Sequence, residues 1–329
     1  MSDFQALRTQ KNDDGSFTTG VATRSLDELP AGEVLIRVQF SSLNFKDALS
    51  ASGNPGVTRE FPHTPGIDAA GVVESSEDER FSSGDEVIVT GYDLGMNTDG
   101  GLAEYIRVPA DWVVPLPAGL NTRQSMIIGT AGLTAALCMA KLQQMDIVAG
   151  ARTIVSGASG GVGSFAIALL AHLGYLPVAS TGSTDAAAYL QKLGADQIQD
   201  RALLGDSNPR PMLKCEWDAG IDTVGGDTLA NIIKGLNYGG SVAAVGLVGG
   251  TEIPTSVLPF ILRNVNLLGV DSVEISHDRR QQIWGKLAGE WKLPDLESLA
   301  TDATLEDVPA LLQDFLQGAV QGRVVVALP

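Results

Sequence analysis

One segment constrains this chain more than any other. Arg152-Thr153-Ile154-Val155-Ser156-Gly157-Ala158-Ser159-Gly160-Gly161-Val162-Gly163 runs from a short β-branched stretch into a glycine-rich turn. A helical period follows. Val162, Phe165, Ala166, Leu169, Leu170 and Leu173 fall at i, i+3, i+4, i+7, i+8 and i+11, one apolar stripe. Gly174 stands where a C-terminal cap belongs. The turn thus opens onto a helix N-terminus, where free N–H groups and the helix dipole attract phosphate. Glycines let the backbone approach a pyrophosphate and let the helix pack close to the strand. Strand, turn, helix and a following strand in register within about 30 residues predict dinucleotide binding, against the plainer reading of a packing turn.

The rest of the chain is organised around this unit. At roughly 150 residues per domain, 329 residues suggest about two domains. Residues 1–125 read as β-rich: Glu33–Phe40 alternates at period two, and Glu86–Val89 and Ala103–Val108 are further short strands. From about Thr122 helical segments alternate with strands at Thr153–Ser156, Leu176–Ser180, Ala219–Thr223, Gly240–Val245 and Val265–Val270, which implies a parallel sheet. A helical Leu305–Leu316 leads to a final strand at Gly322–Leu328 with no βαβ partner after it. The expected division is a discontinuous domain of residues 1–125 and 295–329 and a coenzyme domain of residues 126–294.

Charge and cysteine content narrow the partners. Lys+Arg number 22 and Asp+Glu 39, a net charge of −17, which disfavours nucleic acid and anionic membrane surfaces. An anionic substrate therefore needs a local basic patch. Two cysteines, Cys138 and Cys215, exclude a disulfide framework and fit a reducing compartment. Met1-Ser2-Asp3-Phe4-Gln5 lacks a signal-peptide start, and the apolar runs near Ile127–Ala140 and Val162–Leu176 carry Gly, Thr, Ser or His. The expectation is a soluble, cytoplasmic protein.

The second strand bears on the coenzyme. An NAD site places Asp or Glu about 20 residues beyond the glycines to hold the ribose 2′-OH. Here that stretch reads Val178-Ala179-Ser180-Thr181-Gly182-Ser183-Thr184, with no carboxylate before Asp185. Hydroxyls donate to a 2′-phosphate without repelling it. Arg201, just past a strand at Gln197–Gln199, supplies the cation such a phosphate favours. NADPH is therefore favoured over NADH, and a solvated loop arginine is the plainer role of Arg201. For metal, His63, His172, His277 and the two cysteines show no ligand-like spacing. No zinc is expected, so a reacting oxygen calls for hydrogen-bond donors.

Together these residues resemble a known family. Asn44-Phe45-Lys46-Asp47, Pro65-Gly66-Ile67-Asp68-Ala69-Ala70-Gly71-Val72-Val73 and Gly84-Asp85-Glu86-Val87 resemble the N-terminal motifs of medium-chain dehydrogenases/reductases. Gly129-Thr130-Ala131-Gly132-Leu133-Thr134-Ala135, the glycine loop, Asp222-Thr223-Val224-Gly225-Gly226 and Gly322-Arg323-Val324-Val325 continue the likeness across the chain. Within that superfamily the chain is similar to the zinc-free, quinone-oxidoreductase-like branch. More narrowly, it resembles the acrylyl-CoA reductase (NADPH) family through Ser41–Leu49, Asn237-Tyr238-Gly239-Gly240, Pro259–Val265 and Leu268–Ser272.

The resemblance implies an α/β protein: a GroES-like catalytic domain, a Rossmann doubly wound domain, a cleft between them, and usually a homodimer. It implies coenzyme contacts at Phe45, Ser159, Gly160, Gly161, Val162, Thr181, Gly182, Ser183, Arg201, Leu247, Ile261 and Ser272. Two positions depart from the family pattern. Tyr is common where Phe45 stands, and a basic residue often follows Gly182, where this chain has Ser183. The implied activity is zinc-independent reduction of acrylyl-CoA to propionyl-CoA with NADPH. A quinone or enone reductase is the alternative, and a non-catalytic NADPH-binding sensor or structural protein is a reading of another class.

For the chemistry, Asn44 and Asp47 lie three residues apart, so a short helical turn puts both on one side. Asn44 is expected to line the nicotinamide site and Asp47 to orient neighbours, with turn-capping as the plainer role. Two roles stand open for Arg323: stabilising substrate charge or bracing the domain interface. Asp68 reads as a structural turn residue beside Gly66. Tyr92 or a water is the candidate proton donor. Lys46, Arg59, Arg263, Arg279 and Arg280 are candidates for a positive rim facing CoA phosphates.

Overall fold

The computed structural model describes residues 3–183 and 185–329. Met1 and Ser2, cited above against a signal peptide, and Thr184, one of the hydroxyls at the second strand's end, lie outside the described residues. The chain divides into two units, Met1–Thr130 with Val273–Pro329 and Ala131–Ser272.

The first unit begins with β1 (Asp3–Lys11) and β2 (Phe17–Ser25), an antiparallel hairpin. Next come β3 (Val34–Ser42), α1 (Phe45–Ala51), β4 (Asp68–Ser76), β5 (Glu86–Thr90), β6 (Tyr105–Val108) and β7 (Val113–Pro115). The alternation read in Glu33–Phe40 has its cause in β3. Val34, Ile36 and Val38 point into a core with Val87, Val89, Ile106 and Val108, while Arg37 between them faces out. α2 (Thr122–Gln144) then leaves helical geometry at Gly129, whose φ is 50° and ψ −160°. By length and composition α2 alone among the described residues could cross a membrane, yet 89% of that stretch is buried inside the structure.

The second unit follows, with β8 (Arg152–Val155), α3 (Gly161–His172), β9 (Leu176–Thr181), α4 (Ala186–Lys192), β10 (Gln197–Asp200) and α5 (Ala202–Gly205). It is completed by β11 (Trp217–Asp222), α6 (Gly226–Gly235), β12 (Leu236–Ala244), α7 (Leu258–Arg263) and β13 (Asn266–Gly269). The strands form one parallel sheet in the order β10-β9-β8-β11-β12-β13. From β8 the chain winds outward through β9 and β10, then restarts on the other side at β11. The switch point lies between the carboxyl ends of β8 and β11, where doubly wound sheets bind ligands.

The chain then returns to the first unit through α8 (His277–Ala288), β14 (Ala300–Thr304), α9 (Val308–Gln317) and β15 (Arg323–Ala327). β15 runs antiparallel to β3, with Val325 opposite Ser42, and parallel to β14. Residues 126–130 and 273–294, read from sequence as part of the coenzyme domain, group with the first unit in this division. For the later stretch the reason is Arg280. It is fully buried in α8, donates to Thr90 Oγ1 (3.2 Å) and Val273 O (2.8 Å), and stacks 4.5 Å over the Tyr92 ring. A polar His277-Asp278-Arg279-Arg280 start hides a helix face packed on β5 and its following turn.

Candidate functional site

The glycine turn joins β8 to α3. Gly160 caps α3 with no side-chain bond, so the first-turn amides of Gly161, Val162 and Gly163 stay open to a ligand. The glycines are required here. Gly157 has φ 58°, and a Cβ on it would collide with Thr223 Oγ1; a Cβ on Gly163 would collide with Gly157 O. A Cβ on Gly160 would meet only Gly157 O at 3.5 Å, so the space before the helix is clear. Gly174, with φ 80°, closes α3 as expected.

The end of β9 adjoins this turn. Ser159 Oγ lies 3.3 Å from Thr181 Oγ1, and Ser183 N donates to Thr181 Oγ1 at 3.2 Å. Arg201 N donates to Thr181 O (3.0 Å), which brings the arginine alongside β9. Its side chain covers Gly182 so closely that any Cβ there would strike the guanidinium. Among the described residues no hydrogen bond or ion pair to that guanidinium is present. Ser159, Gly160, Gly161, Val162, Thr181, Gly182, Ser183 and Arg201 therefore form one surface. An open set of main-chain amides, adjacent hydroxyls and a cation suits a diphosphate with a further phosphate beside it.

A second constellation is buried in the first unit. Asp68, at the start of β4, accepts from Ser42 Oγ (2.7 Å), Asn44 Nδ2 (2.8 Å), Thr130 N (3.0 Å) and Thr130 Oγ1 (2.6 Å). Arg323 donates through Nε to Ile127 O (3.0 Å), through Nη1 to Leu43 O (3.1 Å) and Asn44 Oδ1 (3.2 Å), and through Nη2 to Ser42 Oγ (2.8 Å). Asp47 Oδ2 accepts from Asn44 N (2.7 Å) and Oδ1 from Ile67 N (2.9 Å), so its carboxylate caps α1 and pins the chain before β4. Burial, and then the Asp68 carboxylate, push the Asp47 carboxyl up to about 7. Gly129 explains itself here. A Cβ would lie 2.5 Å from Asp68 Oδ2, 2.6 Å from Arg323 Nη2 and 2.7 Å from Ser42 Oγ.

This geometry sorts the catalytic candidates. Asp47 is 0% and Arg323 1% exposed, and both spend the hydrogen bonds given above inside the first unit. Asn44 commits its amide to Ser42 O, Asp68 and Arg323. Asp68 is no turn residue but the hub. The sequence signal was the co-occurrence of Asn44, Asp68, Gly129 and Arg323 in separate motifs, invisible as a cluster because they come from the cap of α1, β4, α2 and β15.

Other candidates lie elsewhere. Phe45 opens α1 and is partly exposed; Leu247 and Ile261 are exposed apolar side chains of the second unit. Leu247 lines a cavity of about 560 Å³ with Gly225, Gly226, Gly246, Gly250 and Lys141. Ser272 Oγ accepts from Thr134 Oγ1 at 2.8 Å. Of the suggested basic rim, Arg263 is tied to Leu213 O (2.7 Å) and Lys234 O (2.8 Å), and Arg280 is buried as described. Both are removed from it, while Arg59 is exposed and Arg279 half-buried. Tyr92 has φ 53° and stacks on Trp112, ring centroids 5.5 Å apart. Among the described residues no group of three or more His, Cys, Asp or Glu could hold a metal ion.

Comparison with known proteins agrees with this architecture. Residues 30–118 match the family described as alcohol dehydrogenase GroES-like domain, and residues 161–288 that described as zinc-binding dehydrogenase. The chain is 46% identical over 325 residues to acrylyl-CoA reductase AcuI of Ruegeria pomeroyi, covering 98% of each. It is 45% identical to the Bacillus subtilis protein named "Putative quinone oxidoreductase YhfP", covering 99% of each. The crystal structure of that Bacillus protein with NAD bound superposes with TM-score 0.96 at 44% identity, covering all of both chains. The yhdH oxidoreductase of Salmonella enterica in complex with NADP gives TM-score 0.95 at 46% identity, covering 99% of this chain and 100% of that one.

Proposed function

The chain belongs to the medium-chain dehydrogenase/reductase superfamily, and from that premise we propose that it is an NADPH-dependent reductase of α,β-unsaturated acyl-CoA, with acrylyl-CoA as substrate and propionyl-CoA as product. The observation that carries the substrate class is the end-to-end likeness to a relative bearing the acrylyl-CoA reductase name. For the coenzyme, support comes from Arg201 lying over Gly182 at the end of β9, a stretch, Val178–Ser183, that itself carries no carboxylate.

When bound, the nicotinamide supplies a hydride for the β-carbon of the thioester. The chain's own residues bind and hold. Amides of Gly161–Gly163 take the diphosphate, Arg201 with Thr181 and Ser183 takes the 2′-phosphate, and Leu247, Ile261, Ser272 and Phe45 supply further contacts. Asn44, Asp47 and Arg323 fix the walls of the catalytic unit by locking the ends of β3, β4 and β15 together. The thioester oxygen, which gathers charge, is met by hydrogen-bond donors without zinc. The reading includes a cytoplasmic homodimer acting on small molecules.

A quinone or enone acceptor is the second reading, favoured by the name of the Bacillus relative. The test is NADPH oxidation with acrylyl-CoA, crotonyl-CoA and a soluble quinone, each with and without a chelator. Turnover of acrylyl-CoA well above the quinone, unaffected by chelator, is expected. Faster quinone turnover supports the second reading, and NADPH binding without any oxidation supports a non-catalytic protein.

A further inference from the structure

At the switch point of the parallel sheet, one buried carboxylate joins loops that follow different strands. Asp222 ends β11 and is 0% exposed. Its Oδ1 accepts from Ser156 Oγ (2.7 Å), on the glycine turn after β8, and its Oδ2 accepts from Gly225 N (2.8 Å), on the turn before α6. The tie is reciprocal. Ser156 Oγ accepts from Thr223 N (2.9 Å), and Thr223 Oγ1 donates to Ser156 O (2.9 Å). The lock extends one strand further, since Gly249 N donates to Val224 O (2.7 Å) and Gly225 bridges Gly250. Backbone therefore packs on backbone across all three turns, and a Cβ on Gly225 would collide with Gly250 O at 2.6 Å. One end of this assembly presents the open amides of α3. The other presents the cavity lined by Gly225, Gly246 and Leu247.

We propose that Asp222 is a positioning residue: it holds the diphosphate turn and the Gly225–Gly250 cavity at a fixed separation, so that one dinucleotide engages both at once. The proposal rests on the reading of the second unit as a dinucleotide site. Joining two half-ligands gains affinity only when both subsites sit at the span of the linker, so a loosened lock costs the whole ligand and spares its halves. The carboxylate is required for a stated reason. Ser156 Oγ already accepts from Thr223 N, so its own proton needs an acceptor. An asparagine that turns its oxygen to Gly225 N offers Ser156 a second donor instead.

The experiment measures binding by calorimetry to wild type, Asp222→Asn and Ser156→Ala, using NADPH, adenosine 2′,5′-bisphosphate and reduced nicotinamide mononucleotide as probes. Both variants are expected to bind NADPH about tenfold more weakly while each half-ligand binds as to wild type. Unchanged NADPH affinity overturns the proposal, as does a uniform loss for all three probes, the signature of a merely structural role. Should Asp222→Asn fail to fold, Ser156→Ala, which keeps the carboxylate and its bond to Gly225, decides by the same criteria. A wild-type protein that binds no NADPH refutes the dinucleotide reading itself, a distinct result.

Discussion

Arg323 Nη2 stands 3.6 Å from Asp68 Oδ2, and the Ser42 hydroxyl links the two, accepting from the guanidinium at 2.8 Å and donating to the carboxylate at 2.7 Å. A charge pair this deeply buried stabilises only while every partner is present. β15, β3 and β4 meet through this relay, so it secures the return of the chain's last strand to its first sheet.

Arg323→Met leaves the Asp68 carboxylate buried without its cation. The expected loss is about 3–5 kcal/mol of unfolding free energy. Urea denaturation followed by circular dichroism measures it. A loss below about 1 kcal/mol would mean that the cluster does not depend on this charge.

Gly129→Ala places a methyl against three polar atoms of the same cluster, at a positive φ that alanine rarely adopts. Overpacking and backbone strain together predict destabilisation of more than about 2 kcal/mol. Thermal unfolding of the variant, compared with Gly150→Ala, provides the check. Gly150 also has a positive φ (86°) but no atom within 4 Å of an added Cβ, so its cost is smaller and reports backbone strain alone.

Asp47 sets a pH dependence. Its carboxyl is pushed from 3.8 to about 7, first by burial and then by Asp68. The folded state therefore holds a proton that the unfolded chain has released. The stability tied to that proton is fully present below the unfolded value and is lost as pH rises through about 7. Asp47→Asn, permanently neutral, lacks this titration and loses one backbone acceptor. The stability gap between wild type and variant should narrow from about pH 5 to about pH 8. Melting curves across that range decide; a constant gap removes Asp47 as the titrating group.

Arg201→Ala removes the cation beside Gly182. NADPH binding should weaken by about 1.5–3 kcal/mol, the worth of one charge-assisted contact, and NADH binding should change far less. Fluorescence titration with both nucleotides measures the ratio. Equal weakening would detach Arg201 from the 2′-phosphate.

Much of the coenzyme unit was legible in the sequence because its signals are local. The β8 glycines, the α3 stripe and the absent carboxylate near Thr181 are each read within about 30 residues. The first unit was harder. β14, Ala300-Thr301-Asp302-Ala303-Thr304, has no apolar alternation and exists by pairing with β15. The Arg280 face of α8 looks solvated until Thr90 and Tyr92 are brought to it. Asp68 looked like a turn residue because its donors, Ser42, Asn44 and Thr130, come from three other elements. Asp222 and Ser156 lie 66 residues apart and meet only once β8 and β11 pair.

In the proposed reading the amides opening α3 hold a coenzyme diphosphate while Arg201 holds its 2′-phosphate. A crystal structure of the protein grown with NADPH tests it most directly. The diphosphate is expected against the main chain of Ser159–Val162 and the 2′-phosphate within hydrogen-bond reach of Arg201. NADPH bound elsewhere on the protein, or no binding at saturating NADPH, would contradict it.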